Sequence, residues 1–235
     1  ITIDDGYRSI YTEAWPRLKK AGLPFTVFAA TDPIDRGSNN YLSWDQIREL
    51  KKAGVEISGH TSSHNHMPVS SPDQNKRELQ KSKARMVAEL GQAPDMFAYP
   101  FGEASARVQK LVQTNGYTMA FGQHSGVVNK TTNVHYIPRF ALNENYGDMR
   151  RLRLVLNALP LPTKDITPAD PFLTANNPPD LGFTVAASIK NLHRLSCFSS
   201  SEGRVRVERL GPRIEVRMTS AFPKGRTRIN CTLPG

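Results

Sequence analysis

Two short stretches hold the side chains best suited to chemistry. The first is Thr2-Ile3-Asp4-Asp5-Gly6, at the end of an apolar opening run. Adjacent carboxylates at a strand terminus point in different directions, so one can bind a metal while the other stays available as a base. Gly6 lets the chain turn sharply away. The same tripeptide is common in ordinary turns, and by itself it reads first as one. The second stretch is Gly59-His60-Thr61-Ser62-Ser63-His64, directly after the apolar run Val55–Ser58. Two imidazoles four residues apart on one short turn can reach a single metal ion, and a carboxylate would complete a three-residue site with a position open for water. His66 lies in the same loop but lacks this spacing. Together the two stretches offer Asp, His and His to a metal and leave a second Asp beside it. Zinc is the default for that ligand set, with cobalt and manganese as alternatives.

The elements that must position these residues follow from periodicity. Ile1-Thr2-Ile3 reads as a strand, and a helical pattern runs around Ser9–Ala21. Phe25–Ala30 is a second strand. Ser43 and Gln46 form a capping box that opens a helix, which Gly54 closes. Val55–Ser58 is the next strand. Ser71 with Pro72 and Gln74 opens a long helix ending near Gly91. Phe97–Tyr99, a helix Ser105–Asn115, Thr118–Phe121, His135–Phe140 and a helix Met149–Ala158 continue the alternation. Strand and helix in turn predict an α/β domain of parallel βα units, a barrel or a doubly wound sheet. Both candidate ligand stretches then fall at the same ends of parallel strands, where such folds carry function.

With that order established, the chain resembles the polysaccharide deacetylase family, also called the NodB-homology domain or carbohydrate esterase family four. The family's T-F-D-D-G is Thr2-Ile3-Asp4-Asp5-Gly6 here, its H-[ST]-x-x-[HD] is His60-Thr61-Ser62-Ser63-His64, and its R-x-P-[FY]-G is Ala98-Tyr99-Pro100-Phe101-Gly102. The resemblance covers about Ile1–Ala158. It implies a distorted (β/α) barrel with an open groove for polymer, and removal of N-acetyl groups from N-acetylhexosamine units of a polysaccharide. It also implies Asp4 as catalytic base, Asp5, His60 and His64 as ligands of a divalent metal, and the backbone N–H of Phe101 as an oxyanion donor. Two features depart from the pattern. Ala98 stands where many members have an arginine that orients the base, members acting on poly-β-1,6-N-acetylglucosamine also tend to lack that arginine, and Arg139 is the candidate substitute. The usual late Leu-x-His acid is not visible, which leaves His124, after a predicted barrel strand, as the candidate acid or as a loop histidine bonded to backbone. His135 and His193 read as structural, and Trp15 and Trp44 as core residues.

Composition changes after Ala158. Residues 159–179 hold six of the seventeen prolines and read as an ordered linker, 159–180. Beyond it the period becomes two: Arg204, Arg206, Arg213 and Arg217 alternate with Val205, Val207, Ile214 and Val216 about a Gly211-Pro212 turn. A small antiparallel β domain over 181–235 is therefore expected. It carries ten Lys or Arg against three Glu, a large share of the formal charge of +10. Such a surface can attract an anionic polymer or lipid headgroups, or merely remain solvated. No nucleic-acid motif accompanies it. Cys197 and Cys231 lack a metal or redox spacing and are either two buried thiols or a disulfide of an exported protein. No apolar run is long enough to span a membrane. The chain opens on a strand without an initiator methionine, so a leader is expected to be absent or to lie upstream, with a periplasmic or cell-surface location. The competing functions are a small-molecule amidase on the same fold and a non-catalytic carbohydrate-binding protein. The intact Asp-Asp and His-x-x-x-His speak against the latter.

Overall fold

The computed structural model describes residues 1–235, which form two compact units: residues 1–122 with 134–137, and 123–133 with 138–235. In the first, β1 (Thr2–Ile3), β2 (Thr26–Ala29), β3 (Glu56–Gly59), β4 (Met96–Ala98) and β5 (Met119–Phe121) make one sheet in the order β1-β2-β3-β4-β5. Every pairing is parallel. Parallel neighbours need crossovers, and helices supply them. A wide π-type turn, Ile10–Ala14, leads into α1 (Trp15–Lys20), and α2 (Thr31–Asp35), α3 (Trp44–Lys52), α4 (Pro72–Leu90) and α5 (Ala106–Thr114) follow.

Their ends are set by local chemistry. The Ser43 hydroxyl accepts from Gln46 N–H while Gln46 accepts from Ser43 N–H, closing the predicted capping box on α3. Ser71 and Ser105 cap α4 and α5 in the same sense, each accepting from the N–H three residues on. Strands buried between layers read as continuous apolar runs, and Val27, Phe28 and Ala29 are fully buried. One core lies around Val27, Ile47, Leu50 and Ile57, with Trp15 and Trp44 packed against it as expected. A second lies around Phe97, Tyr99, Val108 and Tyr117.

The sequential strand order is that of a barrel wall, but the ring does not close: β1 and β5 end the sheet. The expected strand His135–Phe140 is reduced to one parallel bridge, Phe121 with Ile137. Pro138 explains part of this, since it cannot donate to a ladder.

In the second unit, α6 (Met149–Leu156) starts at Asp148, whose carboxylate accepts from Arg151 N–H. β6 (Thr163–Thr167), β7 (Leu181–Val185), β8 (Ser196–Ser199), β9 (Gly203–Leu210), β10 (Arg213–Arg217) and β11 (Ile229–Thr232) form an antiparallel sheet in the order β11-β8-β9-β10-β7-β6. The proline-rich stretch read as a linker thus contributes β6, paired with β7 through an irregular register. The β9–β10 hairpin turns at Gly211-Pro212 and buries Val205, Ile214 and Val216. On its other face Glu208 and Glu215 sit directly opposite one another and pair with Arg206, Arg213 and Arg217. The arginine face therefore carries counter-ions of its own. Cys197 and Cys231 face each other across β8 and β11 and are joined by a disulfide, which decides between the two readings of these cysteines. No helix is long and apolar enough to cross a membrane.

Candidate metal centre

The carboxyl ends of β1 and β3 bring Asp5, His60 and His64 together. Asp5 Oδ1 lies 3.2 Å from His60 Nε2 and 3.1 Å from His64 Nε2. The three donor atoms all fall within 4.8 Å of one another. His60 is fully buried, and its Nδ1 is 2.7 Å from the Ala98 carbonyl oxygen at the end of β4. A carbonyl only accepts, so Nδ1 carries the hydrogen and Nε2 presents a lone pair. That lone pair faces a carboxylate oxygen, another acceptor. Two acceptors at this separation are stable when a proton or a cation lies with them, and the backbone-fixed tautomer is the one a metal ligand requires. Burial of Asp5 works to raise its pKa, but when both imidazoles are protonated, so that Nε2 donates instead of presenting a lone pair, hydrogen bonds and charge from His60 and His64 outweigh it and hold the carboxyl well below the ordinary carboxylate range. The side chains present thus fit a divalent cation held by one carboxylate and two imidazoles.

The backbone here is unusual. Seven non-glycine residues have positive φ, and four of them are at this site: Asp5 (73°), Thr61 (62°), His64 (60°) and Phe101 (59°). Each such residue costs about 1–3 kcal/mol, and the β-branched Thr61 is the least expected. Strain of this kind persists only where surrounding contacts over-determine it. Gly6, at φ 88°, makes the turn after Asp5 in a conformation that L side chains rarely adopt, so a substitution there would be strained. Thr61 Oγ1 accepts from His64 N–H at 3.0 Å, drawing the turn closed.

Two residues with no sequence signal join the site. The carboxylate of Glu78 on α4 accepts from Ser62 and Ser63, between the two histidines, through both backbone N–H groups and both hydroxyls. Burial would raise the Glu78 pKa, and these bonds lower it overall. Glu103 pairs with His66 Nδ1 at 2.7 Å. The His66 ring lies parallel to Phe101 at 3.9 Å between centroids, while His64 meets Phe101 edge-on at 4.4 Å. Phe101, in the third motif, therefore lies between a ligand candidate and a histidine that spacing alone had set aside.

Asp4 is adjacent to the cluster in the chain and half-buried. His124 and Arg139 fall in the other unit, where Arg139 N–H donates to the His124 carbonyl at 2.9 Å. His124 reaches solvent, yet desolvation by the surrounding chain and then the Arg139 charge push its imidazole down to about 4. His135 is structural, as read: its Nε2 lies 3.1 Å from the Tyr117 carbonyl, and its own carbonyl accepts from Tyr99.

Comparison with known proteins agrees with this geometry. The polysaccharide deacetylase family model matches residues 1–120, about half of the chain. A Bacillus subtilis protein assigned to the polysaccharide deacetylases, YxkH, is 29% identical over 139 residues, covering 59% of this chain and 49% of the relative. The poly-β-1,6-N-acetyl-D-glucosamine N-deacetylase of Staphylococcus aureus is 26% identical over 161 residues, 62% of this chain and 54% of that protein. The chain thus spans about half the length of the curated relatives it matches. Among solved structures, the Streptococcus pyogenes deacetylase PplD aligns with a TM-score of 0.63 at 24% identity, over 67% of this chain and 69% of that one. IcaB from Ammonifex degensii aligns at 0.58 and 24%, over 67% and 72%. These likenesses establish the fold, a mixed α/β half-barrel sheet. With the motifs, the ligand cluster and half of the chain matched by the family model, the protein belongs to the polysaccharide deacetylase family.

Proposed function

We propose that this chain hydrolyses N-acetyl groups from N-acetylhexosamine units of a polysaccharide, of the poly-N-acetylglucosamine, chitin-like or peptidoglycan type. The observation that carries the reading is the convergence of Asp5, His60 and His64 on one point, with Asp4 next to it in the chain. Ala98 in the third motif and the similarity to the Staphylococcus aureus enzyme support the poly-β-1,6-linked branch. A divalent metal on Asp5, His60 and His64, zinc by the chemistry of that donor set, would supply Lewis acidity and an activated water. Asp4 takes the proton of the attacking water. Phe101 N–H receives the oxyanion, His124 gives a proton to the leaving amine, and Arg139 orients Asp4. The Cys197–Cys231 bond supports an exported location. Attraction of the second unit to an anionic surface would rest on the charge excess of 181–235, because Arg206, Arg213 and Arg217 of the hairpin already pair with Glu208 and Glu215.

The deciding experiment is metal analysis of the purified protein, joined to acetate release from chitooligosaccharides and from β-1,6-linked N-acetylglucosamine oligomers. His60→Ala or His64→Ala should remove bound metal and activity together. Asp4→Asn should keep metal and fold but lower turnover by about 10²–10⁴-fold. Full activity in Asp4→Asn would exclude it as the base, and hydrolysis confined to small acetamides would make the enzyme an amidase on this fold.

A further inference from the structure

We propose that Glu78 is a positioning residue for the metal centre: it holds the Thr61–His64 turn in the conformation that lets His64 reach the point shared with Asp5 and His60. The inference rests on the metal site proposed above and adds to it a side chain from α4, outside the ligand motifs.

One carboxylate takes four hydrogen bonds from the two residues that separate the histidines. Ser62 N–H and Oγ–H reach Oε2 at 3.0 and 2.7 Å, Ser63 N–H reaches it at 2.7 Å, and Ser63 Oγ–H reaches Oε1 at 2.8 Å. Charge-assisted bonds of this kind are the stronger class. On either side of the gripped pair, Thr61 and His64 both occupy the left-handed region that L-residues avoid. Released, the turn would relax to ordinary backbone angles, and His64 would swing away from Asp5. His60 is anchored separately by the Ala98 carbonyl, so His64 is the ligand whose place depends on the turn.

The other side of the turn is held by α2, where Asp32 N–H donates to the Ser62 carbonyl at 2.8 Å. The α4 helix also secures α2: Lys81, three residues after Glu78, pairs with Asp32 at 2.8 Å, and Arg85 pairs with Asp35 at 2.8 Å. One face of α4 thus grips the ligand turn directly through Glu78 and braces its other support through Lys81 and Arg85.

The test is zinc affinity, measured by competition with a chromophoric chelator well below the melting temperature, which needs no turnover. Glu78→Ala should raise the zinc dissociation constant about 10–100-fold. It should also alter the visible spectrum of the cobalt-loaded protein, whose bands report ligand geometry. Glu78→Gln keeps one acceptor oxygen and should lose less. Ser43→Ala, which removes the N-cap of α3 away from the metal centre, should lower thermal stability and leave zinc affinity within about twofold of wild type, a split that a merely structural role for Glu78 would not produce. Wild-type zinc affinity and cobalt spectrum in folded Glu78→Ala would overturn the proposal. If that variant fails to fold, unchanged affinity in Glu78→Gln overturns it instead. A wild-type protein that binds no zinc would bring down the metal centre itself, an outcome distinct from wild-type binding that is indifferent to Glu78.

Discussion

Asp5 shows at the scale of one residue how a site is tuned: partial burial disfavours its charge, and two imidazoles restore it. His124 shows the opposite balance, since desolvation and a neighbouring guanidinium both disfavour its protonated form. A pKa pushed down to about 4 leaves its ring mostly neutral at pH 7. This sharpens the test of its proposed role. Because kcat/KM reports the free enzyme, a free-enzyme acid with this pKa makes kcat/KM fall about tenfold per pH unit above pH 4. His124→Ala should then abolish that slope while lowering kcat far more than KM. A profile flat from pH 5 to 8 in both proteins would return His124 to a loop histidine bonded to backbone. Its titration is directly visible by NMR, where a midpoint near 6.5 would exclude the downward shift. The convergence of Asp5, His60 and His64 was legible in the sequence because Asp-Asp-Gly and His-x-x-x-His are local patterns placed after strands. Glu78 was not. A glutamate on a polar-faced helix looks like any solvated helix residue until the fold lays it against a loop sixteen residues earlier in the chain.

Among the elements, the strand-to-loop junction before His60 tolerates least. Gly59 ends β3 where a Cβ would stand 2.8 Å from the Tyr117 hydroxyl and 3.2 Å from Phe97 Cδ2. Tyr117 and Phe97 are both buried in the second core, so neither can move aside without cost. Gly59→Ala should lose about 1–3 kcal/mol by overpacking, read as a lower urea midpoint with unchanged slope. An unchanged midpoint would mean that the Tyr117 ring yields freely. The helices whose ends were marked by caps, α3, α4 and α5, emerged within a residue or two of their expected limits. α2 escaped notice because its five residues follow β2 with a single residue between and include Pro33, so they offer neither periodicity nor a side-chain cap. β6 escaped because prolines surround it, and its pairing with β7 depends on a partner that local sequence does not reveal.

At the scale of the molecule, alternation of strand and helix foretold parallel units, and a period of two foretold the antiparallel sheet. Whether the first sheet would close into a ring was not legible, because closure depends on strand number and stagger rather than on any local pattern. The second unit depends on a covalent tie as well as on its core. Cys197 and Cys231 are 34 residues apart, and joining them restricts the unfolded chain by about 4 kcal/mol in the loop-entropy account. A Cys197→Ser, Cys231→Ser double variant should lose stability of that order in the unfolding transition of the second unit, with zinc affinity at Asp5, His60 and His64 unaffected. An unchanged transition would make the bond incidental to folding. The position of the bond carries a further consequence. β11 is the outermost strand, held to β8 along only four residues, and the disulfide is one of those rungs. Were β11 to fray, β8 would become a bare sheet edge with unpaired backbone groups and the exposed Phe198 beside it. Such an edge is a template on which another chain can add a strand. The unbridged variant should therefore scatter light increasingly with protein concentration, and scattering no greater than that of the bridged protein would exclude such a protective role for the crosslink.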